Sequence, residues 1–404
     1  MRTFCLILIL VVETCVNAQN IDRFMVVGDA HLYSPSPDVS QTILYEITLA
    51  AIEEQVDFIF FPGDLIVRGF SSPSEEDSVL KDWRFVLDTL HQHNISVFAC
   101  RGNNDVSSRE SWDSLFSGAY LLPQNGPENE KNITYAIEYD NLLFIAMDEY
   151  TISHQINQVW LDEILANADR EHIFIAGHEP AFKLFNQNCL GAFPIERNQF
   201  WESLTNAGVK IYFCGHDHFY DHTIIDDGDG NPHNDVHQVI VGTGGTSFFH
   251  DLEYNGDNGR WNPLRLFHEE NNGYVLVEID DSVVQMTWKH RVEPGVYDDG
   301  GDSFTFSSSV TGLEVIELHD FIIRIAPNPF HAKTVIGYRL KKDSEVELSV
   351  YNYLGVKAAT LVKKRQSSGS YEVEWHAEGI KPGIYICKLN VSGYEKALKL
   401  IVSH

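Results

Sequence analysis

This chain of 404 residues contains few cysteines and few basic residues. Its six cysteines have neither metal-ligand nor framework spacing, so we expect that disulfides do not hold the fold together. The 29 lysine and arginine residues stand against 58 aspartate and glutamate residues. The resulting net charge of −29 argues against a general binder of nucleic acid or of anionic membranes. No apolar run reaches the length of a membrane-spanning helix, so no transmembrane segment is expected.

The composition is that of a globular protein, with 44% hydrophobic and 12% aromatic residues, and the length allows two or three domains. Four cysteines lie beyond the first eighteen residues, namely Cys100, Cys189, Cys214 and Cys387. We interpret them as buried apolar residues or as at most one disulfide bridge.

The first residues have the pattern of a secretory signal peptide. Arg2 provides a short positive region, and an apolar run follows over residues 4–12. Ala18 supplies a small residue before a cleavage site at Gln19. This pattern predicts a signal peptide over residues 1–18 and therefore export across a membrane.

Charge separates the end of the chain from the rest. Residues 322–404 contain 13 basic and 7 acidic residues, a net charge of +6, whereas the remainder has a net charge of −35. In this last part, residues 346–351, 371–375 and 384–391 alternate between apolar and polar side chains, which predicts a small antiparallel β-sandwich. A polar stretch over residues 298–311, rich in Asp, Gly and Ser, is interpreted as part of a linker.

The first part alternates short apolar strands with helix-like segments. Helical spacing of apolar residues occurs over residues 42–54, 79–92 and 158–166. This alternation of strands and helices predicts an α/β sheet that is covered by other elements on both faces. The predicted strands are residues 24–27, 58–61, 95–99, 142–146, 173–176, 211–213, 237–241, 274–279 and 284–288.

One pattern recurs five times: an apolar strand ends at a glycine, and a residue that can bind metal follows. Carboxyl ends of strands converge on the ligand crevice of an open α/β sheet, and glycine allows the tight turn there. Carboxylate, amide oxygen and imidazole groups together suit ions such as Zn, Mn or Fe. The residues that follow the glycines are Asp29 with His31, Asp64, Asn103, His178, and His216 with His218.

The five motifs, in this order and spacing, resemble those of the calcineurin-like metallophosphoesterases. The later Gly242-Thr243-Gly244-Gly245 is similar to the purple-acid-phosphatase-like branch, and the resemblance covers about residues 20–292. It implies a four-layer sandwich in which two β-sheets are flanked by helices. It also implies a metal-dependent phosphoric ester hydrolase, either a phosphatase or a phosphodiesterase.

The resemblance further implies a pair of metal ions, divalent or of mixed valence, drawn from Fe, Mn and Zn. Asp64 would bridge the ions, and a bridging hydroxide would attack phosphorus in line. Asp64, Asn103 and Asn104 occupy the positions expected to be catalytic, while Asp105 and Asp217 are interpreted as positioning or turn residues. One ion would be bound by Asp29, His31, Asp64 and His218, and the other by Asp64, Asn103, His178 and His216.

Two positions depart from the family pattern. The family commonly has histidine directly after the ligand asparagine, but this chain has Asn104, and an amide cannot supply a proton to the leaving group. The site would then favour substrates with good leaving groups, or another group substitutes; His154 is either that group or an ordinary surface histidine. Val67 occupies the position of the metal-binding tyrosine of purple acid phosphatases, which argues against an Fe(III)–tyrosinate site.

The tail carries a second resemblance. Residues 325–330, 350–355, 369–371 and 383–385 resemble the type A C-terminal sorting domain of the type IX secretion system, over about residues 322–404. The resemblance implies a small immunoglobulin-like β-sandwich and a bacterial protein that is secreted or attached to the outer-membrane surface. The type IX machinery would be its partner. The alternative is a β-sandwich adhesion module.

These inferences divide the chain into a signal peptide over 1–18, a metallophosphoesterase domain over 19–292, a linker over 293–321 and a sorting domain over 322–404. The leading hypothesis is an exported dinuclear phosphoesterase that acts on a small phosphate ester, with no nucleic-acid-binding surface. The alternative is a non-catalytic metal-binding or scaffold protein on the same fold, motivated by Asn104. Metal-capable residues occupy all the ligand positions, which argues against a decayed site.

Overall fold

The computed structural model describes most of the chain, which divides into two compact units, residues 1–311 and 312–404. The predicted signal peptide lies outside the described residues. Within the described part, no helix is both long enough and apolar enough to cross a membrane. The described residues are 20–33, 37–68, 72–106, 109–228, 235–250, 258–307, 321–326, 330–340, 343–352, 357–377, 379–391 and 394–402.

The first unit mixes helices and strands, and the helices and strands predicted from the apolar pattern appear among them in chain order. Its helices are α1 (Pro37–Glu53), α2 (Pro73–Gln92), α3 (Arg109–Leu115), α4 (Gln158–Ala166) and α5 (Pro194–Asn206). Its strands are β1 (Arg23–Val26), β2 (Phe58–Pro62), β3 (Ser96–Cys100), β4 (Tyr135–Glu138), β5 (Leu142–Ala146), β6 (His172–Ala176), β7 (Ile211–Cys214), β8 (Tyr220–Asp226), β9 (Val236–Val241), β10 (Asn262–Glu269), β11 (Gly273–Asp280), β12 (Val283–Glu293) and β13 (Val296–Ser307).

These strands form two mixed sheets. The first sheet has the order β13-β12-β11-β1-β2-β3, and the second has the order β10-β8-β9-β7-β6-β5-β4. Parallel pairing joins β1, β2 and β3 in the first sheet. It also joins β5, β6, β7 and β9 in the second sheet. The carboxyl ends of each parallel set therefore lie along one edge of its sheet, where ligand sites form in α/β folds.

The two sheets pack face to face through aromatic rings. Phe24 of β1 is fully buried, and its ring centroid lies 5.6 Å from Phe144 and 5.0 Å from Phe174 of the second sheet. On the outer face of the first sheet, Trp83 of α2 packs against Phe61. On the outer face of the second, Trp201 of α5 packs against Tyr212. The result is the four-layer α/β sandwich, and burial on both faces explains why strands such as β2 are continuously apolar.

The linker prediction is wrong for residues 293–307. Val296–Ser307 forms β13, which pairs antiparallel with β12 at the edge of the first sheet. An edge strand has one hydrogen-bonding side open to solvent, so it tolerates the Asp, Gly and Ser residues that suggested a linker. Gly300 also lies against Trp288, where a Cβ atom would stand 2.2 Å from a ring carbon. Residues 308–320 lie outside the described part of the chain.

The second unit is all-β in its described residues. A three-stranded sheet has the order β14-β15-β18, and a four-stranded sheet has the order β17-β16-β19-β20. Apolar side chains from both sheets, including Ile336, Leu348, Trp375 and Leu389, form one buried cluster. The strands are β14 (Phe321–Ala326), β15 (Lys333–Leu340), β16 (Ser344–Asn352), β17 (Lys357–Gln366), β18 (Gly369–His376), β19 (Gly383–Val391) and β20 (Tyr394–Val402).

All four cysteines of the described residues are buried and free. The interpretation of these residues as buried apolar groups is therefore confirmed. Burial raises the pKa of the Cys189 thiol to about 12 and that of the Cys387 thiol to about 12, so both remain protonated. Packing and backbone pairing hold the described fold together without disulfides.

Replacing Phe24 by alanine should lower the free energy of unfolding by about 3–5 kcal/mol, because a ring contacted by both sheets leaves a cavity. Urea denaturation of the full chain, followed by tryptophan fluorescence, measures the change. Phe85→Ala is the matched control, because this ring is 74% exposed, and the change there should stay within about 0.5 kcal/mol. Equal effects of the two substitutions would contradict the packing assigned to Phe24.

Candidate metal centre

The seven side chains predicted to bind metal meet where strands of both sheets end. They follow β1, β2 and β3 of the first sheet and β6 and β7 of the second. Backbone hydrogen bonds align the two edges, since Gly28 N–H donates to Val241 O at 2.8 Å. The seven, hereafter the donor set, are Asp29, His31, Asp64, Asn103, His178, His216 and His218.

Four residues of the donor set have left-handed backbones. The φ angles are 54° at Asp29, 43° at His31, 52° at Asp64 and 68° at His216. Residues other than glycine adopt this conformation at a cost of about 1–2 kcal/mol each. Such strain concentrates at functional sites because it aims a side chain that a regular strand would point elsewhere.

Two glycines of the motifs leave room for carboxylates. A Cβ atom on Gly102 would stand 2.1 Å from Oδ1 of Asp64, and one on Gly215 would stand 2.2 Å from Oδ2 of Asp29. Any larger residue would therefore displace a carboxylate of the donor set. At these two positions, glycine is therefore needed for the close approach of a carboxylate.

A first group of donors surrounds Asp29. Its Oδ1 lies 3.7 Å from Nε2 of His31 and 3.6 Å from Nε2 of His218. The His31 and His218 rings are 4.7 Å apart and nearly perpendicular. Ligand atoms of these three residues all lie within 4.8 Å of one another, which is the spacing of groups around one ion.

A second group surrounds Asp64, which also touches the first. Oδ2 of Asp64 lies 3.0 Å from Nε2 of His31 and 3.6 Å from Nε2 of His178. Nε2 of His178 is 3.3 Å from Oδ1 of Asn103. The same terminal atom of the Asn103 amide lies 2.7 Å from Nδ1 of His216. Asp64 therefore lies close to a histidine of each group.

Neighbouring groups fix the tautomers of the histidines. A carbonyl oxygen can only accept, so the nitrogens that face carbonyls carry the protons: Nδ1 of His178 at Pro62 O, Nε2 of His216 at Asn188 O and Nδ1 of His218 at Ser247 O. Nδ1 of His31 faces the Thr246 hydroxyl at 3.4 Å. The opposite nitrogen of each of the three rings is left with a lone pair directed at the donor set, as a metal ligand requires.

Burial and charge set the protonation of the donor set. Burial, followed by the nearby histidine charge, lowers the pKa of His216 to about 3 and that of His218 to about 3, so both rings are neutral near pH 7. Burial and the Asp64 charge raise the pKa of Asp29 well above its usual value. Burial would also raise the pKa of Asp64, but His178, His31 and the Asn104 N–H outweigh it and hold that pKa below the usual range.

Asn104 occupies the position of the family histidine and touches the same carboxylate. Its backbone N–H donates to Oδ1 of Asp64 at 2.7 Å, and its side-chain amide donates to Oδ2 at 2.9 Å. Nε of Arg68 donates to Oδ1 of Asn104 at 2.5 Å. A guanidinium therefore lies beside the donor set on the side where the family has its histidine.

No sequence pattern indicates Arg68, because it stands in a loop without periodicity. Glu149 also lies outside the five motifs, and its carboxylate accepts from the backbone N–H groups of His178 at 2.9 Å and Glu179 at 2.7 Å. Glu149 comes three residues after β5, so the rule that polar residues follow parallel strands could have found it. The buried Arg101–Asp148 ion pair, at 2.8 Å, similarly ties the Asn103 loop to the end of β5.

The remaining singled-out residues lie around the donor set. Asp105 accepts from the N–H groups of Gly102 and Leu65, and burial followed by the Asp64 charge raises its pKa to about 8. Asp217 accepts from the backbone of residues 185 and 186. His154 Nδ1 lies 2.7 Å from Oε1 of Glu179, and the hydrogen bond raises the pKa of His154.

The arrangement fits metal ions. Carboxylates and imidazoles converge in two overlapping groups, Asp29 with His31 and His218, and Asp29 with Asp64 and His178. The Asn103 amide joins the second group, and such donors suit Zn, Mn or Fe. Asp29 and Asp64 are both buried, and their ligand atoms lie within 4.8 Å of each other, so two ionised carboxylates would repel there. Positive ions resolve this repulsion.

Two family models match parts of the chain. The calcineurin-like phosphoesterase family model matches residues 22–220, and the secretion system C-terminal sorting domain matches residues 324–403. The first match implies divalent metal binding and phosphoester hydrolysis, and the second implies export through the type IX secretion machinery. No curated protein sequence matches the chain.

Solved structures share the fold. A purple acid phosphatase from yellow lupin (Lupinus luteus) seeds is similar with a TM-score of 0.54 and 18% identity, over 72% of this chain and 55% of the lupin chain. This chain thus spans about half the length of that relative. A dimetal phosphatase from Danio rerio is similar with a TM-score of 0.50 and 14% identity, over 72% of this chain and 100% of that one. The chain therefore carries a calcineurin-like phosphoesterase domain followed by a secretion system C-terminal sorting domain.

Proposed function

We propose that the protein is an exported phosphoesterase that hydrolyses a phosphomonoester or phosphodiester with two metal ions. The observation that carries the proposal is that the unprotonated nitrogens of His178 and His218 face the buried carboxylates of Asp64 and Asp29. Buried imidazoles without such a role would pack against apolar groups or hydrogen-bond with both nitrogens. In His178, His216 and His218, one ring nitrogen donates to a backbone carbonyl, and the other nitrogen keeps a lone pair that can bind a metal ion.

The two donor groups support a proposed assignment of the ligands. Two bound ions would supply a nucleophile derived from water, together with positive charge next to the phosphoryl oxygens. Asp64 contacts both groups, so it is the proposed bridging ligand. The first group would comprise Asp29, His31, Asp64 and His218, and the second Asp64, Asn103, His178 and His216.

Asn104 and Arg68 would act on the leaving-group side. The Asn104 amide donates to Asp64 and accepts from Arg68, so it holds the guanidinium against the site without offering a proton. Arg68 presents several N–H donors that would stabilise negative charge on a phosphoryl or leaving-group oxygen. The site would therefore work best on esters whose leaving group needs little protonation.

Export would begin with the signal peptide proposed for residues 1–18 and continue through recognition of the sorting domain. The strand content of residues 321–402 and the family match at 324–403 support this second step. The protein would act outside the cell or at the outer-membrane surface.

Removing the metals should abolish hydrolysis of p-nitrophenyl phosphate and of its bis ester, and Zn, Mn or Fe should restore it. His178→Ala and Asp64→Ala should each reduce the rate by more than about 100-fold, because each removes a ligand. His93→Ala, an exposed histidine of the first unit, is the control. Full activity after chelation and dialysis would contradict the proposal. Metal-loaded protein that is inert on both esters would favour the non-catalytic alternative.

Gly102→Ala should weaken metal binding by roughly tenfold or more, because the new Cβ atom would displace the Asp64 carboxylate. Metal content measured by mass spectrometry after dialysis against graded chelator gives the change. Gly295→Ala is the control: Gly295 has a positive φ, of 72°, so alanine is strained there, but its Cβ atom would meet open space and no carboxylate. Unchanged metal content in the Gly102 variant would argue against Asp64 as a ligand.

Arg68→Ala should lower kcat by about 100-fold while leaving metal content unchanged, because the variant loses a charged donor rather than a ligand. Arg68→Lys should retain part of the rate. Arg260→Ala, whose side chain is 55% exposed, is the matched control and should keep full activity. The role of Arg68 would be refuted by an unchanged kcat in Arg68→Ala.

A further inference from the structure

Three rings form a continuous stack that leads away from the candidate metal centre. Phe249 lies parallel to the ring of His218, with centroids 4.1 Å apart and an interplanar angle of 16°. Phe185 lies on the next layer, 4.1 Å from Phe249 at 17°. We refer to Phe185 and Phe249 as the aromatic shelf. The inner ring of the shelf, Phe249, stacks on His218 of the donor set. The centroid of the outer ring, Phe185, lies at most about 8 Å from that of His218.

Hydrogen bonds attach the shelf to the metal-ligand segment. Phe249 N–H donates to His218 O at 3.2 Å. Phe185 N–H donates to the buried carboxylate of Asp217 at 3.1 Å, and the Asn186 side chain donates to both Asp217 and His216 O at 2.8 Å. The segment that carries Phe185 also supplies Asn188 O, which fixes the His216 tautomer. The shelf is therefore held at a set position relative to two proposed ligands.

The outer ring of the shelf is open to solvent. Phe185 is 42% exposed although Phe249 covers one of its faces, so the exposed area belongs to the opposite face and the edges. Phe249 is partly buried and packs against the core of the second sheet. An apolar, planar surface that is held in place beside a polar centre can stack against an aromatic ring of a substrate.

We propose that the aromatic shelf binds a planar aromatic group of the phosphoester substrate, at a distance of several bonds from the phosphorus. This inference rests on the proposed function, because the phosphate must lie at the donor set. The centroid distance of at most about 8 Å requires a flexible spacer between the phosphate and the ring. Substrates with an aromatic group at that distance would bind more tightly than aliphatic ones.

Phosphonates, which cannot be hydrolysed, test the shelf by binding alone. Phenylbutylphosphonate, cyclohexylbutylphosphonate and butylphosphonate would be titrated into the metal-loaded full chain by calorimetry. We expect the phenyl compound to bind about threefold to tenfold more tightly than the cyclohexyl one, which is the range that aromatic stacking supplies. Phe185→Ala should remove this preference and leave the affinity for butylphosphonate unchanged, whereas Phe185→Trp should keep it. Phe85→Ala, an exposed phenylalanine of α2, should behave as the unchanged protein.

The outcomes separate the two proposals. If butylphosphonate binds only in the presence of metal but the phenyl and cyclohexyl compounds bind equally, the shelf is overturned and the phosphoesterase stands. A phenyl preference that persists in Phe185→Ala also overturns the shelf. If no phosphonate binds to the metal-loaded protein, both the shelf and the function on which it rests fail. Loss of butylphosphonate binding in Phe185→Ala would also overturn the shelf, because it would show that Phe185 only maintains the structure of the site.

Discussion

The site depends on keeping one buried carboxylate ionised. Asp64 is 2% exposed, and an isolated charge at that depth would be costly. Both oxygens accept hydrogen bonds from Asn104, and Oδ2 also lies 3.0 Å from Nε2 of His31. The surrounding motifs thus stabilise Asp64 before any ion binds. The same requirement explains the glycine at position 102, since a side chain there would occupy the space of that carboxylate.

The packing of the two sheets sets the spacing of the donors. Asp64 belongs to the first sheet and His178 to the second, so their separation depends on how closely the sheets approach. Phe24 and the rings around it fill that interface. The backbone N–H of His216 also donates to Asp29 across it at 3.0 Å. The aromatic core therefore contributes to the position of the polar centre as well as to stability.

The sequence predicted the features that depend on local pattern. Apolar runs ending in glycine indicated β2 and Asp64, because strands buried on both faces are continuously apolar. It failed where tertiary contact decides. β13 is polar because it lies at an edge, and its composition is indistinguishable from that of a linker. Arg68 meets Asn104 only through the fold, since 36 residues separate them, and no local period marks such a contact.

The four left-handed residues of the donor set have a thermodynamic consequence. At about 1–2 kcal/mol each, their combined strain is a large fraction of the net stability of a typical domain. Contacts elsewhere must offset that strain in the metal-free chain. A cation that binds only the folded arrangement would shift the unfolding equilibrium by mass action. Metal supply would then govern how much of the exported protein resists proteolysis as well as how fast it turns over substrate.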